Sequence, residues 1–173
     1  MASYYYLISS LPELTTSSDM PISYSEFLNC CQSNVSDAVY QLLSELTLNS
    51  ENGPLVKEWS AFYHMLTKEL NFQRSANLGK QYAAGYDKDA VISQVVSAAL
   101  NARNPLEAEK ILLDYEFEVL DSMVGLHMFD DHVLFGYAIK LKLLERQDCF
   151  EQKKGKKEFE SLFNHIQEQV YSL

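Results

Sequence analysis

Residues 126–163, LHMFDDHVLFGYAIKLKLLERQDCFEQKKGKKEFESLF, read as a turn, a helix, a short polar connection and a second helix. Asp130 and Asp131 stand just ahead of an apolar run, where a carboxylate oxygen accepts from the free N–H groups of a first helical turn. Val133, Leu134, Tyr137, Leu141 and Leu144 then recur at three- and four-residue spacing, which places them on one helical face. Lys140, Lys142 and Arg146 fall in the later turns, where cations oppose the partial negative charge of a helix C-terminus. The second helix carries Phe159, Leu162, Phe163, Ile166 and Val170. A helical hairpin of this kind needs further helices to cover its apolar faces.

The rest of the chain supplies them. Ser23-Tyr24-Ser25-Glu26 fits the capping box, in which Ser and Glu bond reciprocally to each other's backbone N–H. A short helix through about Cys31 follows. Ser33, Asn34 or Ser36 caps the next one, whose face holds Val35, Val39, Leu42, Leu43 and Leu46. Pro54 suits a first helical position. Leu55, Trp59, Phe62, Leu66 and Leu70 mark a long helix ending near Leu78, with Gly79 as its left-handed stop. Asp87 opens a helix carrying Ala90, Val91, Val95, Ala98 and Ala99. Asn104-Pro105 ends that helix and starts another, with Asn104 as cap and Pro105 at the first position. Leu106, Leu113, Phe117, Leu120 and Val124 form its stripe, Leu112, Tyr115 and Val119 widen it, and Gly125 stops it. Residues 4–8, YYYLI, favour an extended form by composition but also fit a first helical turn.

The expected fold is all-α: an antiparallel helical bundle of about six or seven helices with an irregular or extended N-terminal arm. The domain reading is a single helical domain over 1–173, with an arm at 1–22, a first helical layer at 23–79 and a second at 87–173. The 173-residue length suits one domain.

The formal net charge of −10 argues against nucleic acid and anionic lipid as main partners, since both require a basic face. The charge is unevenly placed. No Lys or Arg precedes Lys57, whereas seven of the fourteen basic residues, Lys140, Lys142, Arg146, Lys153, Lys154, Lys156 and Lys157, lie together. Those seven form a candidate contact surface. Three cysteines, Cys30, Cys31 and Cys149, make no disulfide framework and suggest reduced thiols in a cytoplasmic protein. No signal-peptide pattern or membrane-length apolar run is expected to anchor the chain directly.

No catalytic or cofactor motif emerges. The residues nearest to a metal set are His127, Asp130, Asp131 and His132, with Asp114, Glu116, Glu118 and Asp121 upstream. No Glu-x-x-His pair is present. His127 and His132 are five apart, off a shared helical face, and capping accounts for the acids. The sequence therefore assigns no metal ligand. His64 reads as a half-buried packing histidine. Arg74 reads as a C-terminal dipole partner or, alternatively, as a structural ion-pair donor to an acid of the 105–124 helix.

Three segments carry a resemblance: SYYYLISSLPEL at 3–14, ELNFQRSANLG at 69–79, and the block from 129 to 146 that continues into KGKKEF at 154–159. Together the chain resembles an uncharacterised bacterial family encoded in V/A-type ATPase operons, itself similar to the C subunit of those rotary machines (subunit d in eukaryotes). The resemblance implies a non-enzymatic structural or accessory role in ion transport. It implies protein partners among the rotor or proteolipid-ring subunits, and a peripheral place on the inner face of the cytoplasmic membrane through the ATPase. The chain is short beside that subunit, so both a substitute for it and an accessory factor fit. Two alternatives come from other classes: a freestanding helical adaptor or regulator binding another soluble protein, and a helical metal-binding protein. Oligomeric state is left open by the sequence.

Overall fold

A computed structural model describes residues 4–80 and 85–148. These residues form seven helices and no strands: α1 (Tyr5–Ser10), α2 (Tyr24–Gln32), α3 (Asp37–Ser44), α4 (Val56–Asn77), α5 (Ala90–Leu100), α6 (Pro105–Val124) and α7 (Asp131–Asp148). The expected second helix of the 126–163 stretch lies outside the described residues, as do Cys149 and Lys153, Lys154, Lys156 and Lys157.

The chain folds around α7. Leu134, Phe135, Ala138, Ile139, Leu141, Leu143 and Leu144 are all buried, which covers far more than one face. An element buried nearly all round must be enclosed by others. Packing contacts place α6 and α2 against it. Leu113, Phe117 and Leu120 of α6, Phe27 and Cys31 of α2, Leu43 of α3, and Val56 and Trp59 of α4 complete the main core. A second, smaller cluster holds Leu66, Ile92, Val96, Ala99 and Leu112, where α5 packs on α4 and α6. Phe62 touches both clusters, so α4 runs from one into the other.

Local chemistry sets most helix ends. Ser23 accepts from the Glu26 N–H at 3.2 Å while the Glu26 carboxylate accepts from the Ser23 N–H at 2.8 Å, the complete capping box. Ser36, Asp89 and Asn104 cap α3, α5 and α6. Gly79, at φ +75°, ends α4: its N–H and that of Lys80 turn back to the Ala76 and Ser75 carbonyls.

Three helix starts and stripes differ from expectation. The helix after Pro54 begins only at Val56, because Leu55 has φ +63° and turns its side chain, 5% exposed, into the core. A left-handed leucine is strained. Burial of its side chain in the main core accompanies that conformation, and Gly53 just before it lets the turn approach Phe135, where a Cβ would sit 3.1 Å from Cε1. The inward face of α5 is Ile92, Val96 and Ala99 rather than Ala90, Val91 and Ala98, and the helix starts at Ala90 with Asp89 as cap. The third helix stops at Ser44, short of Leu48, whose carbonyl accepts from the Trp59 indole at 3.3 Å.

The aromatic N-terminal segment takes the helical form. α1 has no side-chain cap. Tertiary contacts hold it: the Tyr4 N–H donates to the Phe129 carbonyl at 2.7 Å, and the Tyr4 hydroxyl donates to Asp131 Oδ1 at 2.8 Å. Leu7 is buried beneath it. The arm is irregular beyond Ser10 until α2.

Candidate contact surface and histidine cluster

The basic residues of α7 are paired. Lys140 Nζ lies 2.5 Å from Asp121 Oδ1 and 5.1 Å from the Phe117 ring centre. Lys142 Nζ meets Glu145 at 2.9 Å and sits 3.5 Å over the Tyr24 ring. Their stems cover the aromatic residues of the core edge, and each charge already faces a carboxylate. Lys140, Lys142 and Arg146 therefore present less free cationic surface than their sequence clustering suggests. The remaining lysines of that set lie beyond the described residues.

Arg146 is the internal ion-pair donor. Its Nη1 and Nη2 bond the two Glu116 oxygens at 3.0 and 2.5 Å, and its Nε bonds Glu109 at 2.6 Å. Burial pushes the Glu116 carboxyl up, against the lowering effect of Arg146. Burial works against the Arg146 charge as well, but Glu116 and Glu109 outweigh it and hold the guanidinium protonated. Arg74 does not have this role. It is exposed in the last turn of α4 and forms no ion pair among the described residues, which leaves the helix-dipole reading. The acids of α6 were the right acceptors; their donor comes from α7, not α4.

A second buried acid, Glu69, escapes sequence reading. Its carboxylate accepts from Gln73 at 2.7 Å and from the Tyr86 hydroxyl at 2.6 Å, which ties the segment before α5 to α4. Burial raises its pKa, but those hydrogen bonds and nearby Lys88 outweigh it and hold the carboxyl below its usual range. His64 is exposed rather than half-buried, 3.8 Å from Glu51. Its neighbours on the stripe point inward while its own ring faces solvent.

The end of the bundle formed by α1 and the α6–α7 turn is different in kind. Leu126 is 99% exposed, Tyr6 86% and Met128 73%. Tyr5, also exposed, touches Tyr6 edge-on and packs its ring 4.7 Å from that of Phe129. Large apolar side chains are thus left in water on two adjoining segments.

The same turn brings three metal-ligating types together. His127 Nδ1 and Asp130 Oδ2 are 2.6 Å apart. The His127 and His132 rings stack with centres 4.0 Å apart and planes 8° from parallel. One ligand atom from each of His127, Asp130 and His132 lies within 4.8 Å of the others. Among the described residues this is the group of three or more His, Cys or acidic side chains that converges. The five-residue spacing does not separate the histidines, because His127 precedes α7. Phe129, at φ +55°, folds the turn back so that both rings meet. Asp131, the acid flanking His132, instead accepts from Tyr4. Burial acts to raise the Asp130 pKa, but the His127 hydrogen bond, the Val133 N–H and the two nearby histidines outweigh it and hold its carboxyl low.

The two thiols described differ. Cys30 is exposed and Cys31 buried, and burial pushes the Cys31 thiol up to about 12. A thiol so placed is a packing group and not a nucleophile. No helix of the described residues is long and apolar enough to cross a membrane.

Residues 91–170 match a family model described as "Protein of unknown function (DUF2764)". No curated protein and no solved structure matches the chain.

Proposed function

We propose that the chain is a non-enzymatic accessory component of a V/A-type rotary ATPase, similar to its C subunit. It docks on rotor or proteolipid-ring subunits through the end formed by α1 and the α6–α7 turn, and is held at the inner face of the membrane by those subunits. The observation that carries this reading is the exposure of Tyr6, Leu126 and Met128 on two segments joined by Tyr4 and Phe129. Tyr6 belongs to the 3–14 stretch on which the resemblance rests, and Leu126 and Met128 lie immediately before the block that starts at 129. A surface of exposed aromatics and long apolar side chains suits protein docking. The net charge of −10 adds attraction to a basic shaft end or ring loop.

The test is affinity purification from native cells with membranes present, at low and at physiological salt. Rotor or ring subunits should co-purify, and Leu126→Asp with Tyr6→Asp should release them while leaving the far-UV spectrum unchanged. Recovery of no ATPase subunit at either salt sinks the reading. Recovery of a soluble protein instead, sensitive to the same substitutions, replaces it with that of a freestanding adaptor.

A further inference from the structure

We infer that His127, Asp130 and His132 form a surface site for one divalent transition-metal ion of the zinc, cobalt or nickel type. The inference is independent of any docking on an ATPase.

Two imidazoles and one carboxylate are a donor set that suits these ions. Hard ions such as calcium and magnesium take oxygen ligands and find only one here. The ligand atoms lie within 4.8 Å of one another. Bonds of about 2.1 Å in a tetrahedral site place ligands about 3.4 Å apart. The His127–Asp130 contact of 2.6 Å is a direct hydrogen bond, shorter than that spacing, so an ion entering between them replaces it. The closure falls to His127, whose side chain is 42% exposed and which turns its ring out of the stack with His132 to aim a nitrogen at the ion.

The backbone sets this arrangement. The His127 N–H donates to the Val124 carbonyl at 3.0 Å, and the Leu134 N–H donates to the Asp130 carbonyl at 3.1 Å. Between them Phe129 has its left-handed conformation, pinned by the Tyr4 N–H on its carbonyl. The turn is fixed at both ends and in the middle, so the three side chains start from neighbouring positions and the adjustment is left to their rotamers. The positive end of the α7 dipole, which lies nearby, also opposes binding. The carboxylates of Asp130 and Asp131, both at that helix start, offset it. With three protein ligands and open exposure, the remaining positions go to water.

The full chain, stripped with a chelator and dialysed, is titrated with Zn²⁺ alone by calorimetry and with Co²⁺ alone by visible absorption. One ion per chain is expected, with a dissociation constant below about 0.1 mM. His127→Ala, Asp130→Ala and His132→Ala should each weaken binding by at least about tenfold. His64→Ala, on α4 beside Glu51, should leave it unchanged. Lowering the pH from 7.5 to 5.5 should weaken binding, because the ion competes with protons for the imidazoles. Backbone amide shifts on Zn²⁺ addition to the unaltered protein should be confined to residues 125–133, which reads the site even where a variant folds poorly. A weaker constant overturns the inference. So does binding that survives His127→Ala with His132→Ala, or shifts centred elsewhere.

Discussion

Arg146 holds Glu116 with two parallel hydrogen bonds across the α6–α7 interface, and Glu116 is only 1% exposed. An acid placed so deeply is tolerable only with its partner in place, since an unpaired buried charge costs far more than the pair returns. Arg146→Ala should therefore destabilise the fold by about 3–5 kcal/mol. Replacing the buried pair, Arg146→Met with Glu116→Leu, should restore part of that loss, because the pair contributes little net stability over apolar residues of similar size, while Glu109 still lacks its donor. Urea unfolding of the single and double variants checks this. A double variant no more stable than Arg146→Ala would show that the apolar replacement does not pack.

The Arg146–Glu116 pair also shows where sequence reading stops. Ser23, Asn104, Gly79 and Gly125 were legible as caps and stops because the interactions involved are local, within a few residues. The all-helical class was legible from apolar spacing for the same reason. Glu116 was not legible as buried, since it sits among Glu and Asp residues on a helix with apolar residues on two sides. Arg146 looked like another member of a basic run. Nothing local distinguishes an arginine that reaches across an interface from one in water, and Arg74 had the more conspicuous setting. The histidine pair failed for a related reason. A five-residue spacing excludes contact only if both residues are helical, and the fold-back at Phe129 is a backbone choice that no glycine announces.

Tyr4 links the start of α1 to the start of α7 through Asp131, and its own pKa is raised to about 12 by burial and by that carboxylate. Tyr4→Phe keeps the ring and removes the hydroxyl, so it should cost about 1.5–3 kcal/mol, the usual range for a hydrogen bond to a charged group. The loss should be local. Amide exchange should quicken in α1 first, while α6 and α7 keep their protection. Equal acceleration throughout would mean that α1 is an integral part of the cooperative unit.

Cys30 and Cys31 are adjacent yet should behave as different chemical species. In a Cys149→Ser background at pH 8, a disulfide reagent should modify Cys30 promptly and Cys31 only on unfolding. The sign of the pH effect follows from the raised Cys31 value. Between its ordinary pKa of 9.0 and about 12 the unfolded chain loses the thiol proton and the folded chain keeps it. Stability from this group is complete below pH 9.0 and falls as pH rises toward 12. Cys31→Ala should flatten that alkaline limb while lowering stability at neutral pH through the lost sulfur packing. An unchanged limb would assign it to the buried tyrosines instead.

Gly136 is the close-approach point between α7, the end of α6 and the corner before α4. A Cβ there would lie 2.7 Å from Val124 Cγ2 and 3.4 Å from Leu55 Cδ2. Gly136→Ala should gain about 0.5–1 kcal/mol from backbone entropy in the helix. It should lose about 1–3 kcal/mol to overpacking, because β-branched Val124 has few alternative rotamers. The overpacking cost is the larger, so the single variant should be less stable than the parent. Val124→Ala in the same chain removes the clashing methyl groups. The double variant should then recover the entropy gain, and the coupling between the two sites should be favourable by more than about 0.5 kcal/mol, as expected for residues in contact. Additive single and double values would mean that α6 and α7 separate enough to admit the methyl group. The unfolding midpoint of each variant in urea measures the outcome.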